Sequence, residues 1–119
     1  MEITELQSQL GVFAQERDWE QFHSLKNLVL ALVGEVGEVA ELLQWVDDAK
    51  ISAFLDGGGR ERLGEEISDV LFYLLRVADI AGIDMDSAVT LKFQKNEDNY
   101  PVSKARGSSK KYSDLTGSK

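Results

Sequence analysis

The sequence has no cysteine, which excludes a disulfide framework, a thiolate nucleophile and a Cys-ligated zinc site. Its one histidine, His23, excludes sites that need two imidazoles, such as HExxH zinc or paired ExxH di-iron helices. Proline occurs once, at Pro101, and no alternating apolar–polar stretch of useful length interrupts a helix-forming background. No apolar run reaches the ~18 residues of a membrane span, and the acidic N-terminus does not resemble a signal peptide. A cytoplasmic protein with no membrane partner is therefore expected.

Basic residues are also scarce over most of the chain. The formal net charge of the 119 residues is −8. Residues 103–119 hold five bases (Lys104, Arg106, Lys110, Lys111, Lys119) and one acid, Asp114. That leaves eight bases and twenty acids in residues 1–102, a net of −12. Such a body repels nucleic acid, so no nucleic-acid partner is expected. The division predicted is a helical domain over 1–102 followed by a flexible basic tail over 103–119. That tail reads either as a solvated chain end or as a cationic flap that meets phosphates.

The length fits one domain with a real core. Ile3, Leu6, Leu10 and Phe13 recur at helical spacing and predict a first helix over about 3–17. The stretch 18–24 (DWEQFHS) breaks that period and reads as a loop. Ser24 is placed to cap a second helix running to about Asp48. Gly57-Gly58-Gly59 reads as a breaker and a flexible link, followed by a third helix from about Arg60 to Ala81 and a stop at Gly82. Asp84 or Asp86 would cap a fourth helix that ends before Pro101. The fold class expected is all-α, a four-helix bundle.

Placed on a helical wheel, Glu35 falls in the middle of the apolar stripe formed by Leu28, Val39, Leu42 and Val46, with Glu38 about 60° to one side, beside Asn27, Ala31 and Trp45. The third helix repeats the pattern. Glu66 lies among Val70, Tyr73 and Val77, with Asp69 about 60° aside. Each long helix thus carries an acid pair at i, i+3 with one member aimed at the core. An ionised carboxylate there costs several kcal/mol unless it is protonated, paired or metal-bound. Pairing is thin, because the second helix offers only Lys26, while Arg62 and Arg76 on the third could serve Asp69. If the helices face each other, four carboxylates make an all-oxygen set suited to Mg²⁺ or Mn²⁺ and poorly suited to zinc. Mg²⁺ commonly shares its shell with substrate phosphates, so a phosphate-bearing substrate follows. The bland alternative is two acid pairs on solvated faces.

Other residues fit this frame. Gly34 and Gly37 flank Glu35 and predict a close approach by another helix or chain. Trp19, Phe22 and His23 cluster in the first loop, and with Trp45 they could sandwich a flat base. The bland alternative is core filling for the aromatic rings and a hydrogen-bonded loop histidine for His23. Lys92, Asn96 and Tyr100, at i, i+4 and i+8, share a face that could meet phosphates.

GEVGEVAEL at 34–42, followed by EEISD at 65–69, resembles the ExxE…ExxD signature of the all-α, MazG-like nucleoside triphosphate pyrophosphohydrolases. RDWEQFH at 17–23, KNLVLALVGEVGEVAELLQW at 26–45, EEISDVLFYL at 65–74 and the NYPV…RG…KY pattern from 99 to 112 are similar to the dCTP pyrophosphatase branch. The resemblance implies a Mg²⁺-dependent hydrolase that converts dCTP, or a 5-substituted dCTP, to the monophosphate and diphosphate. It implies a homotetramer built as a dimer of dimers. It also implies metal ligands at Glu35, Glu38, Glu66 and Asp69, and a base and sugar pocket drawing on Trp19, Glu20, Gln21, Phe22, His23, Asn27, Trp45 and Tyr73. Lys92, Asn96 and Tyr100 would contact phosphates. The family pattern has a histidine on the first helix where this chain has Leu10, and the glycine-rich link between the second and third helices is short here. Glu38, at the stripe's edge where water reaches, is expected to orient or deprotonate the attacking water as well. The competing readings are a non-catalytic helical interaction module, with its acids salt-bridged across a subunit interface, and the same hydrolysis of other canonical or modified triphosphates.

Overall fold

The computed structural model describes residues 2–115, so positions 116–119 of the expected tail lie outside the described residues. Among the described residues there are helices and turns and no strand. The four long helices are α1 (Ile3–Glu16), α2 (Leu25–Leu43), α4 (Arg60–Ile80) and α5 (Met85–Asn99); the one-turn helix α3 (Ile51–Phe54) precedes α4. Two more short helices follow, α6 (Val102–Ala105) and α7 (Tyr112–Leu115). None of these helices is long and apolar enough to cross a membrane. The chain divides into two units, residues up to Ile83 and residues from Asp84 on.

Local chemistry sets the boundaries. Ser24 caps α2 as the sequence predicts, its Oγ accepting from the Asn27 backbone N–H at 3.1 Å. Asp84 caps α5, its carboxylate accepting from the Asp86 N–H at 3.2 Å. Gly82, with φ of 70°, stops the chain after α4. Two boundaries differ from expectation. The second helix ends at Leu43 rather than near Asp48, because Asp47 is extended (φ −64°, ψ 145°) and starts a new turn over Asp48–Lys50. The glycine triplet is not an open linker either. Leu55–Gly59 winds as a wide helical turn that carries α3 into α4, with its kink at Gly57 and Gly58. Gly58 takes φ of 101°, where side chains are strained, and a Cβ on buried Gly59 would collide with the Phe54 carbonyl and ring.

In the first unit α2 packs chiefly on α4, and α1 packs on α4 as well. Gln7 Nε2 donates across the second contact to the Leu75 carbonyl at 3.4 Å. The buried hydrophobic side chains are Ala14 from α1, Leu28 from α2, and Leu75 and Ala78 from α4. That is a thin core for helices of 14, 19 and 21 residues. Among the described residues nothing comes within 4 Å of a Cβ built on Gly34 or Gly37, so none of the described helices makes the close approach expected there. In the second unit, Tyr100 and Tyr112 meet edge to face with ring centroids 6.3 Å apart.

Candidate active site

Packing α2 against α4 brings the two core-directed acids together. Glu35 on α2 and Glu66 and Asp69 on α4 each offer a carboxylate oxygen within 4.8 Å of the others. Glu35 and Glu66 are half-buried and Asp69 is exposed. Among the described residues no lysine or arginine forms an ion pair with any of the three. The two ion pairs found are Arg60–Asp56 and Arg76–Asp79. Arg76, which the sequence offered as a partner for Asp69, is thus committed elsewhere. Glu38, expected as a fourth member, lies outside this cluster and is exposed, although its charge still bears on Glu35.

The set fits a hard divalent cation. Its donors are all oxygen, they converge from two helices, and they lack a cationic partner. The electrostatics agree. Glu35 holds its proton above the ordinary glutamate range, first because it is partly desolvated and then because Asp69, Glu66 and Glu38 crowd it with like charge.

An aromatic cavity adjoins this cluster. The loop after α1 turns at Asp18, which adopts a left-handed φ of 54° and accepts from Gln21 Nε2 at both its backbone carbonyl (2.9 Å) and Oδ2 (3.0 Å). The turn lets the Trp19 N–H donate to the Ala14 carbonyl at 2.9 Å and swings the indole back over α1. Its ring meets Phe13 at 5.6 Å and His23 at 6.4 Å between centroids, edge-on in both cases. A cavity of about 290 Å³ opens there, walled by Leu10, Phe13, Trp19, Phe72 and Tyr73, with His23, Arg76 and Asp69 as its charged or titratable edge. A second, of about 380 Å³, shares Trp19, His23 and Tyr73 and adds Phe22, Asn27 and Ala31.

The predicted site residues therefore separate. Trp19, Phe22, His23, Asn27 and Tyr73 line these two cavities. Gln21 spends its amide inside the loop. Glu20 faces a different groove, with Gln7, Gly11, Arg76 and Asp79. Trp45 stands beyond the end of α2 and is 87% exposed, away from both cavities. On α5, Lys92 and Asn96 line one groove with Phe93, while Tyr100 has left the helix to meet Tyr112.

A MazG-like family model matches residues 31–115, which include both acid pairs. The chain belongs to the MazG-like family. It is 52% identical over 104 residues to dCTP pyrophosphatase 1 of Rattus norvegicus and 51% identical over 105 residues to that of Homo sapiens, covering 87% of this chain in each case. It spans about 61% of the length of each of these curated relatives. A solved pyrophosphatase structure from Archaeoglobus fulgidus is similar with a TM-score of 0.74 and 37% identity, over 82% of this chain and 91% of that one.

The raised proton affinity of Glu35 gives this MazG-like chain a signed pH dependence. Without a cation, the folded state binds that proton more tightly than the unfolded chain. The resulting stabilisation is complete below the ordinary glutamate value, about 4.3, and is lost as pH rises through the raised value. A cation must displace the same proton, so its affinity climbs over the same window and then levels. Melting temperatures with and without Mg²⁺, measured from about pH 4 to 7, should diverge as pH rises; a gap independent of pH would contradict the coupling.

Of the first cavity's lining, Leu10, Phe13, Ala14, Phe72 and Arg76 were not among the expected site residues, and Arg76 is the one that bears a charge. Arg76 is 6% exposed, and its position inside LLRVAD was the available signal, since an apolar run seldom takes an arginine without a partner.

Proposed function

We propose that this protein hydrolyses dCTP, and 5-substituted dCTP, to the nucleoside monophosphate and diphosphate, using Mg²⁺, for which Mn²⁺ substitutes. The observation that carries the reading is the unpaired carboxylate cluster, whose Asp69 also edges the aromatic cavity. The names of the mammalian relatives and the similarity of the archaeal pyrophosphatase support the same substrate chemistry.

Glu35, Glu66 and Asp69 would hold the cation, with Glu38 beside them. When bound, the ion offsets triphosphate charge and lowers the pKa of water at the site. Glu38, exposed at the cluster's edge, accepts a proton from the water whose oxygen bonds to the α-phosphorus. The α–β phosphoanhydride bond breaks and diphosphate leaves with the electron pair. Trp19, Phe22 and Tyr73 hold the flat base, and Asn27 stiffens the pocket by donating Nδ2–H to the Phe22 carbonyl at 3.1 Å. Lys92, Asn96 and Tyr100 are assigned to phosphate contacts.

The assembly proposed is a cytoplasmic homotetramer, a dimer of dimers. Its support is the apolar surface left open by one chain, including Val29, Leu30, Val33 and Val36 on α2 and Ile67, Leu71 and Leu74 on α4. A second copy would also give exposed Trp45 a place near a bound base.

The test is a panel of natural and 5-substituted triphosphates incubated with Mg²⁺, with the products resolved. Diphosphate release fastest from dCTP is expected. Orthophosphate as the first product would reject α-phosphorus attack, and a faster purine substrate would reject the base assignment.

A further inference from the structure

Arg76 is an expensive residue for its position. Its guanidinium is buried among α1, α4 and the first loop, yet its Nε has no hydrogen-bond partner among the described residues. An unsatisfied buried donor is costly, and a well-packed aliphatic chain would cost less. The two contacts it does make are specific. Nη1 donates to Asp79 Oδ2 at 2.9 Å, and Nη2 lies 3.3 Å from Nδ1 of His23, 53 residues away in sequence. A guanidinium has five donors and no acceptor, so the histidine nitrogen facing it must be the acceptor. Nδ1 therefore carries no proton, and a neutral His23 carries it on Nε2.

From this geometry we infer that Arg76, braced by Asp79, is a positioning residue that locks His23 as a neutral Nε2–H donor toward an uncharged acceptor oxygen or nitrogen of a nucleobase. His23 lies on the shared wall of the two aromatic cavities, so its free nitrogen is the one left for a ligand. The walls around it include Leu10, Phe13, Ala14 and Phe72, with Asp69 and Arg76 at the edge, and a donor held in one orientation in such a pocket discriminates between base edges. The electrostatics run the same way. His23 titrates below its ordinary value, because it is desolvated and because Arg76 lies beside it, with Glu20 opposing. A neutral ring also avoids competing with a cation for the carboxylate cluster next door.

The ligand in this inference rests on the proposed base site, but the locked tautomer does not, and the two are tested separately. His23 is the only histidine, so a long-range ¹H–¹⁵N correlation spectrum of the labelled protein reports it without ambiguity. At neutral pH the native chain should show a pyridine-type Nδ1 and a pyrrole-type Nε2. Arg76→Met should blur both signals toward a tautomer mixture and raise the His23 pKa, and Asp79→Asn should do so partially. For dCTP hydrolysis, Arg76→Met should raise KM about tenfold, as for one hydrogen bond lost, with kcat nearly unchanged. A protonated Nδ1 in the native protein, or a spectrum unmoved by Arg76→Met, overturns the lock. A lock that holds while KM stays unchanged overturns the role toward the base. The native spectrum decides the tautomer even if Arg76→Met does not fold.

Discussion

Glu35→Gln should lower Mg²⁺-dependent release of diphosphate from dCTP by about a thousandfold or more, equivalent to about 4 kcal/mol of transition-state stabilisation, while leaving the cation-free protein as stable as before or more so. The two effects have opposite signs for one reason. Three carboxylates share a space in which their oxygens lie within 4.8 Å, and no described cationic side chain offsets them. Without a cation they repel, and partial burial makes Glu35 costly to ionise. An amide of the same shape removes that repulsion together with one metal ligand. The Mg²⁺-induced rise in melting temperature should therefore disappear in Glu35→Gln and in Glu66→Gln, whereas the melting temperature without Mg²⁺ should not fall. Glu38→Gln should separate the roles, keeping most of the thermal response to Mg²⁺ while losing turnover. A Glu35→Gln protein that retains turnover within about tenfold would remove the basis of the proposed chemistry. A variant that melts far lower without the cation would show instead that the acids serve the fold.

Much of this site is legible in the sequence, because burying a carboxylate is costly enough to need a reason. Glu35 and Glu66 betray themselves by sitting inside apolar stripes, and the stripes are real: Leu28 is buried, and Val39, Leu42, Val70 and Val77 are half-buried. The wheel fixes azimuth and not reach, which is why Asp69 joins the cluster and Glu38, at the matching step on the other helix, does not. It also assumes that the helix continues. Trp45 shares a strip with Asn27 and Glu38 only on a helix that α2 does not complete, since Asp47 begins a new turn. The glycine triplet misleads in a related way. Two glycines carry the kink and the third admits Phe54, so a segment that reads as a break is wound and packed. Arg76 lay beyond such reasoning because its decisive partner, His23, arrives from a loop that periodicity cannot place.

The largest stability effect is expected away from the carboxylates, at Val33. Helix α2 is apolar on the side that holds Glu35 and also on the side about 160° away, where Val33 lies. A second apolar face on one helix needs a second surface to bury it, yet Val33 is 63% exposed in the single chain. Val29, Leu30 and Val36 on the same helix are exposed too. With so few side chains buried within one chain, the missing interior is most simply a second copy of α2 and α4, and the open space over Gly34 and Gly37 leaves room for its backbone. On the proposed assembly, Val33→Asp would bury a charge in that interface, once per copy. The expected result is a smaller species by light scattering and a melting temperature lower by about 10 °C or more, with dCTP turnover lost in parallel if the second copy completes the site. Glu41→Gln, on the polar side of the same helix, should change none of these. An unaltered mass for Val33→Asp would leave α2 with an apolar back that some other surface must cover, and the tetramer would have lost its physical rationale.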